Sequence, residues 1–161
     1  MNFLKHIVVS LRLSVEHSQT LADIYHRSPR HYQLLHSSPV SLKQNGVVVL
    51  VLDFDGVLAA YGESSPVAEL WPWLHECIAT FGAAQVFILS NQPLPSRVAY
   101  FNKHYAGVRF IADVKKKPCP DGLEKIMALT GQPSRALMLV DDRLLTGGLA
   151  ACVADVQFTY I

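Results

Sequence analysis

Cysteine is scarce in this chain, and its few positions exclude two classes of site. There are three cysteines among 161 residues, Cys77, Cys119 and Cys152, widely separated along the sequence. An odd number without short spacing gives neither a disulfide framework nor a zinc motif. Cys77 and Cys152 fall at core positions of predicted helices, which favours a reducing compartment. We therefore expect a cytoplasmic protein.

Charge is also sparse. Charged residues make up 17% of the chain and the formal net charge is +1, which implies no strongly acidic or basic partner. The overall charge therefore gives no strong signal for nucleic-acid binding. Half of the residues are hydrophobic, and the mean hydropathy of +0.23 is high for a soluble protein. A buried parallel sheet within a single domain accounts for much of that value.

No apolar run is long enough to cross a membrane. The apolar segment 1–13 is too short and is interrupted by Lys5 and Arg12. It lacks a clear small-residue cleavage site, so we expect no secretory signal. Read as a helix, it is amphipathic, and two interpretations stay open. Residues 1–36 contact the inner membrane surface peripherally, or this helix packs against the domain. We assign 1–46 to an N-terminal helical extension.

The chain does contain an apolar run that ends abruptly in two carboxylates. Residues 47–52 are all Val or Leu, and Asp53-Phe54-Asp55-Gly56 follows them. Such a run predicts a buried parallel strand, and ligands of open α/β sheets bind beyond the carboxyl ends of strands. Buried carboxylates need a partner, and a divalent cation is the natural one. A simple strand-ending turn is the alternative, which suits one Asp better than this pair.

Two further apolar runs end in polar residues. Residues 85–89 precede Ser90-Asn91, and residues 136–140 precede Asp141-Asp142. A hydroxyl and an amide at a strand end suit a phosphoryl oxygen, although this pair alone is also common turn chemistry. Lys117-Pro118 lies between the two runs, before a predicted helix. Taken alone, a Lys-Pro pair in a basic run is a very weak signal.

Helical patterns alternate with these strands and define a domain at 47–161. Helices are predicted from Ser64-Ser65-Pro66 to about Phe81, from Pro95 to about Tyr105, from Pro120 to near Gly131, and over 144–151. Further short strands are predicted over 108–111 and 156–161. Alternation of this kind predicts an α/β fold with a central parallel sheet and helices on both faces.

Taken in order, these residues resemble the four motifs of the haloacid dehalogenase (HAD) superfamily of phosphohydrolases. The matching segments are Asp53-Phe54-Asp55-Gly56-Val57-Leu58, Leu89-Ser90-Asn91, Lys117-Pro118 and Val140-Asp141-Asp142. The resemblance spans about residues 47–151. It implies a HAD-like, Rossmann-like three-layer sandwich.

A narrower similarity is to the YqeG branch of this superfamily, subfamily IIIA, which includes phosphatidylglycerophosphate phosphatases. It rests on residues 140–149 and on the approach 42–46, and covers roughly 29–161. The first motif departs from the branch, which usually has Asp-Leu-Asp-Asn-Thr. Gly147 also stands where the branch has a second acidic residue, and Asp141 would replace that residue.

The resemblance implies a chemical role for each motif. Asp53 would be the nucleophile that forms an aspartyl-phosphate, and Asp55 would act as general acid and then as general base. Ser90, Asn91 and Lys117 would hold the transferring phosphoryl group.

The resemblance also implies magnesium as the cofactor. Its ligands would be Asp53, the backbone carbonyl of Asp55, and Asp141 or Asp142.

The intervals between motifs leave no room for a cap domain. The stretches from Asp55 to Ser90 and from Ser90 to Lys117 each hold one strand-and-helix unit with short loops. An uncapped site favours a large phosphorylated substrate. Three hypotheses stay open: a phosphatase acting on phosphatidylglycerophosphate or a similar lipid, a phosphatase acting on a polynucleotide end or a protein, and a catalytically inactive HAD-like binding module.

Overall fold

The structure, a computed structural model, describes residues 3–28 and 34–161. Strands and helices alternate through most of this part of the chain. The strands are β1 Val49–Leu52, β2 Val86–Ile88, β3 Arg109–Phe110, β4 Leu137–Asp141 and β5 Gln157–Tyr160. The helices are α1 Phe3–Glu16, α2 Ser18–Arg27, α3 Pro39–Gln44, α4 Trp71–Phe81, α5 Pro95–His104, α6 Asp121–Thr130 and α7 Leu149–Ala154.

The strands form one sheet in the order β3-β2-β1-β4-β5, and every neighbouring pair is parallel. β1 lies at the centre, where Leu50 is in register with Val86 of β2 and with Met138 of β4. The chain builds outward from β1 to β3 and then returns to the other side of β1 with β4. The junction of β1 and β4 is therefore the switch point of the sheet, where α/β proteins bind their ligands.

Successive residues of β1 point to opposite faces of the sheet. Leu50 and Leu52 belong to a core shared with α4 and α5. Val49 and Val51 belong to a second core shared with α6 and α7. Both faces are thus covered, which explains the uninterrupted apolar runs of the sequence. The predicted α/β fold, a central parallel sheet between two helical layers, is confirmed.

Several predicted boundaries were wrong. The helix predicted from Ser64-Ser65-Pro66 begins instead at Trp71, after a 3-10 turn over Ala68–Leu70, and Pro72 occupies its first turn. Residues 56–67 form a loop that folds back on the end of β1, with the Val67 amide donating to Leu58 O at 2.9 Å. The loop therefore holds the Val67 amide, and the 3-10 turn follows it before the helix begins.

The last predicted helix also differs. Over 144–151 the chain forms a π-helical turn, Leu144–Gly148, that leads into α7. Each observed strand begins later than its predicted run, and all except β4 are shorter than predicted, while β4 ends one residue later, at Asp141. Apolar residues beyond a strand end, such as Val47, are still buried in the core, so hydrophobicity alone overstates strand length.

The N-terminal segment packs against the domain on one side. α1 contacts α2, α7 and the π-helical turn, and Leu21 of α2 is buried. Other apolar side chains of α1 are exposed: Ile7, Val8, Leu11 and Val15. Part of the predicted membrane-contact segment, residues 1–2 and 29–33, lies outside the described residues. None of the described helices combines the length and apolarity needed to span a membrane. The boundary at residue 46 stays a prediction.

Candidate active site

The predicted site residues gather at the carboxyl edge of the sheet. Asp53 and Asp55 follow β1, and Ser90 and Asn91 follow β2 shortly after its end. The remaining predicted residues come from the segment before α6 and from the end of β4: Lys117, Asp141 and Asp142. A cavity opens beside them, lined by Asp53, Asp55, Tyr61, Asn91, Gln92, Arg143 and Thr146.

Lys117 is the buried cation that joins the ends of β1 and β4. Its side chain is 2% exposed, and its Nζ lies 3.1 Å from Asp53 Oδ2 while also donating to Asp141 Oδ2. Two carboxylates therefore share one amine. Burial raises the pKa of Asp53 to about 7, with the charge of Lys117 opposing that rise and the charge of Asp141 adding to it.

Asn91 positions Lys117 from the end of β2. The Lys117 amide donates to Asn91 Oδ1 at 2.7 Å, and Asn91 Nδ2 donates to Lys117 O at 3.2 Å. Both ends of the Asn91 amide group are therefore engaged with the backbone of Lys117. Ser90 Oγ accepts a hydrogen bond from the Gln92 amide at 3.0 Å. The roles of Ser90, Asn91 and Lys117 toward a substrate stay predictions.

Three carboxylates lie close enough to hold a metal ion. Asp53, Asp141 and Asp142 each offer an oxygen, and these atoms lie within 4.8 Å of one another. Asp142 Oδ1 is buried and accepts no hydrogen bond from the described residues. A buried carboxylate oxygen without a donor is costly, and a hard cation would satisfy it. The donor set therefore fits magnesium. The Asp55 side chain is not part of this cluster.

Two glycines make room for these carboxylates. A Cβ on Gly56 would lie 2.1 Å from Asp142 Oδ2, and one on Gly147 would lie 2.2 Å from the Asp141 carboxyl carbon. Gly56 also has a φ of +79°, which other residues rarely adopt. From the sequence, position 147 was expected to lack the second acidic residue of the YqeG branch, with Asp141 in its place. In the structure this position has no room for any side chain, because Asp141 occupies the space.

Arg97 is the second buried cation, and it is dedicated to Asp55. Its Nη1 and Nη2 each donate to one Asp55 oxygen at 2.7 Å, and its guanidinium lies 4.2 Å from the centroid of the Phe54 ring. Arg97 is fully buried. Burial works to raise the pKa of Asp55, but the hydrogen bonds from Arg97 and Gly62 and the charges of Arg97 and Arg143 hold it below its ordinary value.

Arg97 also ties together two loops at the rim of the site. Its Nε donates to Glu63 O at 2.9 Å and its Nη1 to Gln92 O at 3.1 Å. Arg97 was not predicted from the sequence. In sequence, Arg97 is one arginine on a predicted helix, and the only signal was its place two residues after Pro95 at the helix start.

Tyr61 and Arg143 form one wall of the cavity, and neither had a role predicted from the sequence. Arg143 Nε donates to the Tyr61 hydroxyl at 3.1 Å, and its guanidinium lies 4.8 Å from the Tyr61 ring centroid. The Tyr61 hydroxyl donates to Asp142 Oδ2 at 2.5 Å. Arg143 was visible as part of the fourth motif, whereas nothing near Tyr61 in sequence indicated its contact.

Two solved structures were found to be similar to this chain, and the first of them supports the fold. An uncharacterized protein from Corynebacterium glutamicum is similar, with a TM-score of 0.56 and 22% identity over 72% of this chain and 85% of that one. At this identity the similarity shows the fold alone. A HAD-superfamily hydrolase of subfamily IA, variant 1, from Geobacter sulfurreducens has a TM-score of 0.47 and 14% identity over 71% of this chain and 89% of that one. No family model and no curated protein matches the chain.

Proposed function

We propose that this protein is a magnesium-dependent phosphatase of the HAD type that acts through an aspartyl-phosphate intermediate. The observation that carries the proposal is the cluster of Asp53, Asp141 and Asp142 at the switch point of the sheet, where Lys117 pairs with the first two. The three carboxylates outnumber the one amine, and Asp142 has a buried oxygen without a hydrogen-bond donor. Such a cluster suits a divalent cation. The order of the four sequence motifs supports the HAD assignment.

In the first step, Asp53 would attack phosphorus with a carboxylate oxygen, and the bond from phosphorus to the leaving oxygen would break. The Phe54 amide donates to Asp53 Oδ1 at 2.8 Å, and Lys117 lies beside Oδ2, so the carboxylate is fixed in orientation. Lys117 and Ser90 would hold the oxygens of the transferring phosphoryl group. Catalysis of this transfer is mostly positioning and charge stabilisation.

Magnesium held by Asp53, the backbone carbonyl of Asp55, and Asp141 or Asp142 would supply positive charge against the phosphoryl oxygens. Without that charge, burial raises the pKa of Asp53, and the nearby carboxylate of Asp141 adds to the rise.

Asp55 would serve the second step, in which water attacks the aspartyl-phosphate. Arg97 favours the ionised form of Asp55, which is the form that accepts a proton from the attacking water. The same proton would be returned when Asp55 protonates the next leaving group. Arg97 thus positions Asp55 through both of its carboxylate oxygens and does not itself contact the reacting atoms.

The substrate we propose is phosphatidylglycerophosphate or a similar lipid phosphate. The described segments between β1 and β4 hold single helices, short turns and loops, so the cavity is open to a large headgroup. Exposed Val8, Leu11 and Val15 on α1 support a peripheral contact of residues 1–36 with the inner membrane surface. Among the residues that line the cavity, Arg143 is the one cation, so a basic groove for a polynucleotide is not favoured.

The test is phosphate release from p-nitrophenyl phosphate and from phosphatidylglycerophosphate in liposomes, with and without magnesium, for the wild type and Asp53→Asn. We expect magnesium-dependent release from both substrates, lost in the variant because the amide cannot attack phosphorus. Release from the aryl ester alone would reject the lipid and keep the phosphatase. No release from either would make the inactive binding module the better account.

A matched variant tests the membrane contact separately. Leu11→Asp with Val15→Asp should weaken flotation of the chain with anionic liposomes, because both side chains are exposed on α1. Equal flotation of the variant and the wild type would contradict a membrane role for this helix.

A further inference from the structure

Three cations lie at the described site, and Arg143 differs from the other two. Lys117 and Arg97 are buried and already paired with carboxylates. Arg143 is exposed. Among the described residues, no carboxylate lies within 4.0 Å of its guanidinium, the limit for an ion pair. Balancing the acidic cluster by direct pairing therefore does not explain why Arg143 lies at the wall of this cavity.

Arg143 is nevertheless held in place. Its backbone amide donates to Asp141 Oδ1 at 2.8 Å, which fixes the turn that carries it. Its Nε bonds to the Tyr61 hydroxyl, and the Tyr61 ring lies against its guanidinium. Tyr61 is fixed in turn by Asp142. An arginine supported in this way loses little conformational freedom when it binds a ligand.

The support leaves the outer edge of the guanidinium available. Nε is used by Tyr61, while Nη1 and Nη2 donate to no residue in the described part of the chain. A guanidinium edge with free donors matches the oxygens of a phosphate or carboxylate. The cavity that Arg143 lines also contains Asp53, the proposed nucleophile. A ligand whose phosphoryl group reaches Asp53 therefore shares this cavity with the guanidinium of Arg143.

We propose that Arg143, backed by Tyr61, binds a second anionic group carried by the leaving group of the substrate. The substrate class is then a phosphomonoester whose alcohol bears a further phosphate or phosphodiester. The inference rests on the proposed phosphatase function, because it describes the ligand as a substrate. The anion subsite itself can be tested by binding alone. No cap closes the described site, so wall residues such as this pair have to recognise the leaving group.

The catalytic arm compares propane-1,3-diol monophosphate with propane-1,3-diol bisphosphate, which differ in the second anion. For the wild type we expect kcat/KM for the bisphosphate to exceed that for the monophosphate about tenfold or more, the effect of a charge-assisted hydrogen bond. Arg143→Met should lower this ratio to about two, the statistical factor that remains because the bisphosphate has two equivalent phosphates. Tyr61→Phe, which keeps the ring and removes the hydroxyl, should give an intermediate ratio.

Arg135→Met is the matched control. Arg135 is an exposed arginine just before β4, at the opposite edge of the sheet from Arg143, and its substitution should leave the ratio unchanged. The binding arm measures propyl phosphonate and propane-1,3-bisphosphonate by calorimetry with magnesium. These probes cannot be hydrolysed, so they report the subsite whether or not the protein is an enzyme.

The outcomes separate the two ideas. Preference for the two-anion compounds that depends on Arg143 supports the subsite. Equal loss on both substrates in Arg143→Met would overturn it, because Arg143 would then act on the transferring phosphoryl group. Arg143-dependent binding of the bisphosphonate without hydrolysis of either ester would keep the subsite and reject the phosphatase. No preference for the bisphosphonate in the wild type would overturn the subsite.

Discussion

Lys117 and Arg97 are both buried cations at the same edge of the sheet, yet the pKa values of the carboxylates beside them shift in opposite directions. Lys117 offers one amine to two carboxylates, and burial raises the pKa of Asp53 to about 7 despite the opposing charge of Lys117. Arg97 offers two guanidinium nitrogens to the two oxygens of Asp55, whose pKa is lowered. The Lys117 side has negative charge left over, whereas the Arg97 side is balanced.

That difference indicates which side of the site awaits a ligand. A point charge shared between two carboxylates leaves room for a further cation, and the nearby Asp142 oxygen has no donor. A planar guanidinium paired with one carboxylate satisfies both partners and fixes their geometry. Metal and substrate would therefore act at the Lys117 side, while the Arg97 side keeps Asp55 in a fixed orientation beside it.

Replacing Lys117 should give the largest effect. In Lys117→Met, Asp53 and Asp141 lose their buried partner, and breaking a buried ion pair costs about 3–5 kcal/mol. Phosphate release should fall about 10²-fold or more, as when one transition-state donor is removed. Urea unfolding and phosphate release from p-nitrophenyl phosphate measure the two effects.

Lys116→Met is the control for this substitution, because Lys116 is the exposed neighbour of Lys117 and should change stability by no more than about 0.5 kcal/mol. If Lys117→Met were as stable and as active as Lys116→Met, the central role of Lys117 would be wrong.

Arg97→Met should have a somewhat smaller effect than Lys117→Met, and it should mainly lower the free energy of unfolding. Asp55 would stay buried without its partner, at a cost of about 3 kcal/mol in the free energy of unfolding. Asp55 has a lowered pKa in the folded protein, so its stabilising contribution is present above the unfolded pKa and is lost as the pH falls through the folded value. The difference between wild type and variant should therefore shrink in acid.

The double variant Arg97→Met with Asp55→Asn sharpens this prediction. Removing both charges leaves no unpaired buried ion, so the double variant should be more stable than Arg97→Met alone. Additive losses in chemical unfolding would mean that the two side chains do not interact energetically, despite their contact.

The sequence was sufficient for the sheet and for the carboxylates at its edge. Apolar runs such as 47–52 predicted strands because both faces of the sheet are buried. Parallel strands end at one edge, so residues as distant as Asp53 and Asp141 could be expected to meet there. The motif residues Ser90 and Lys117 follow from the same rule combined with the order of the motifs.

The cation assigned to Asp55 could not be predicted in this way. Arg97 is 42 positions from Asp55, and its helix has no pattern that separates a buried arginine from an exposed one. Tyr61 is 81 positions from Asp142 and lies in a loop whose path depends on the finished core. Each of these contacts is tertiary and has no local signal.

The last prediction concerns pH. It distinguishes the Lys117 side from the Arg97 side without substituting Lys117. Folded Asp53 keeps its proton up to about pH 7, whereas an unfolded aspartate releases it at about pH 4. Between these values the folded state binds more protons, so the free energy of unfolding should fall as the pH rises through this window. Above about pH 7 the loss is complete. Magnesium, by binding the ionised carboxylates, should offset the fall.

Thermal unfolding in a chelator at about pH 5 and about pH 8, repeated in magnesium, measures this effect. Asp53→Asn is the control, because an amide does not titrate and the fall due to Asp53 should disappear. The Asp55 contribution does not interfere, since its lowered pKa confines it to more acidic solutions. If the melting temperature in chelator depended on pH in the same way for the wild type and for Asp53→Asn, Asp53 would not be held protonated by its surroundings. The contrast between the Lys117 and Arg97 sides would then lose its electrostatic basis.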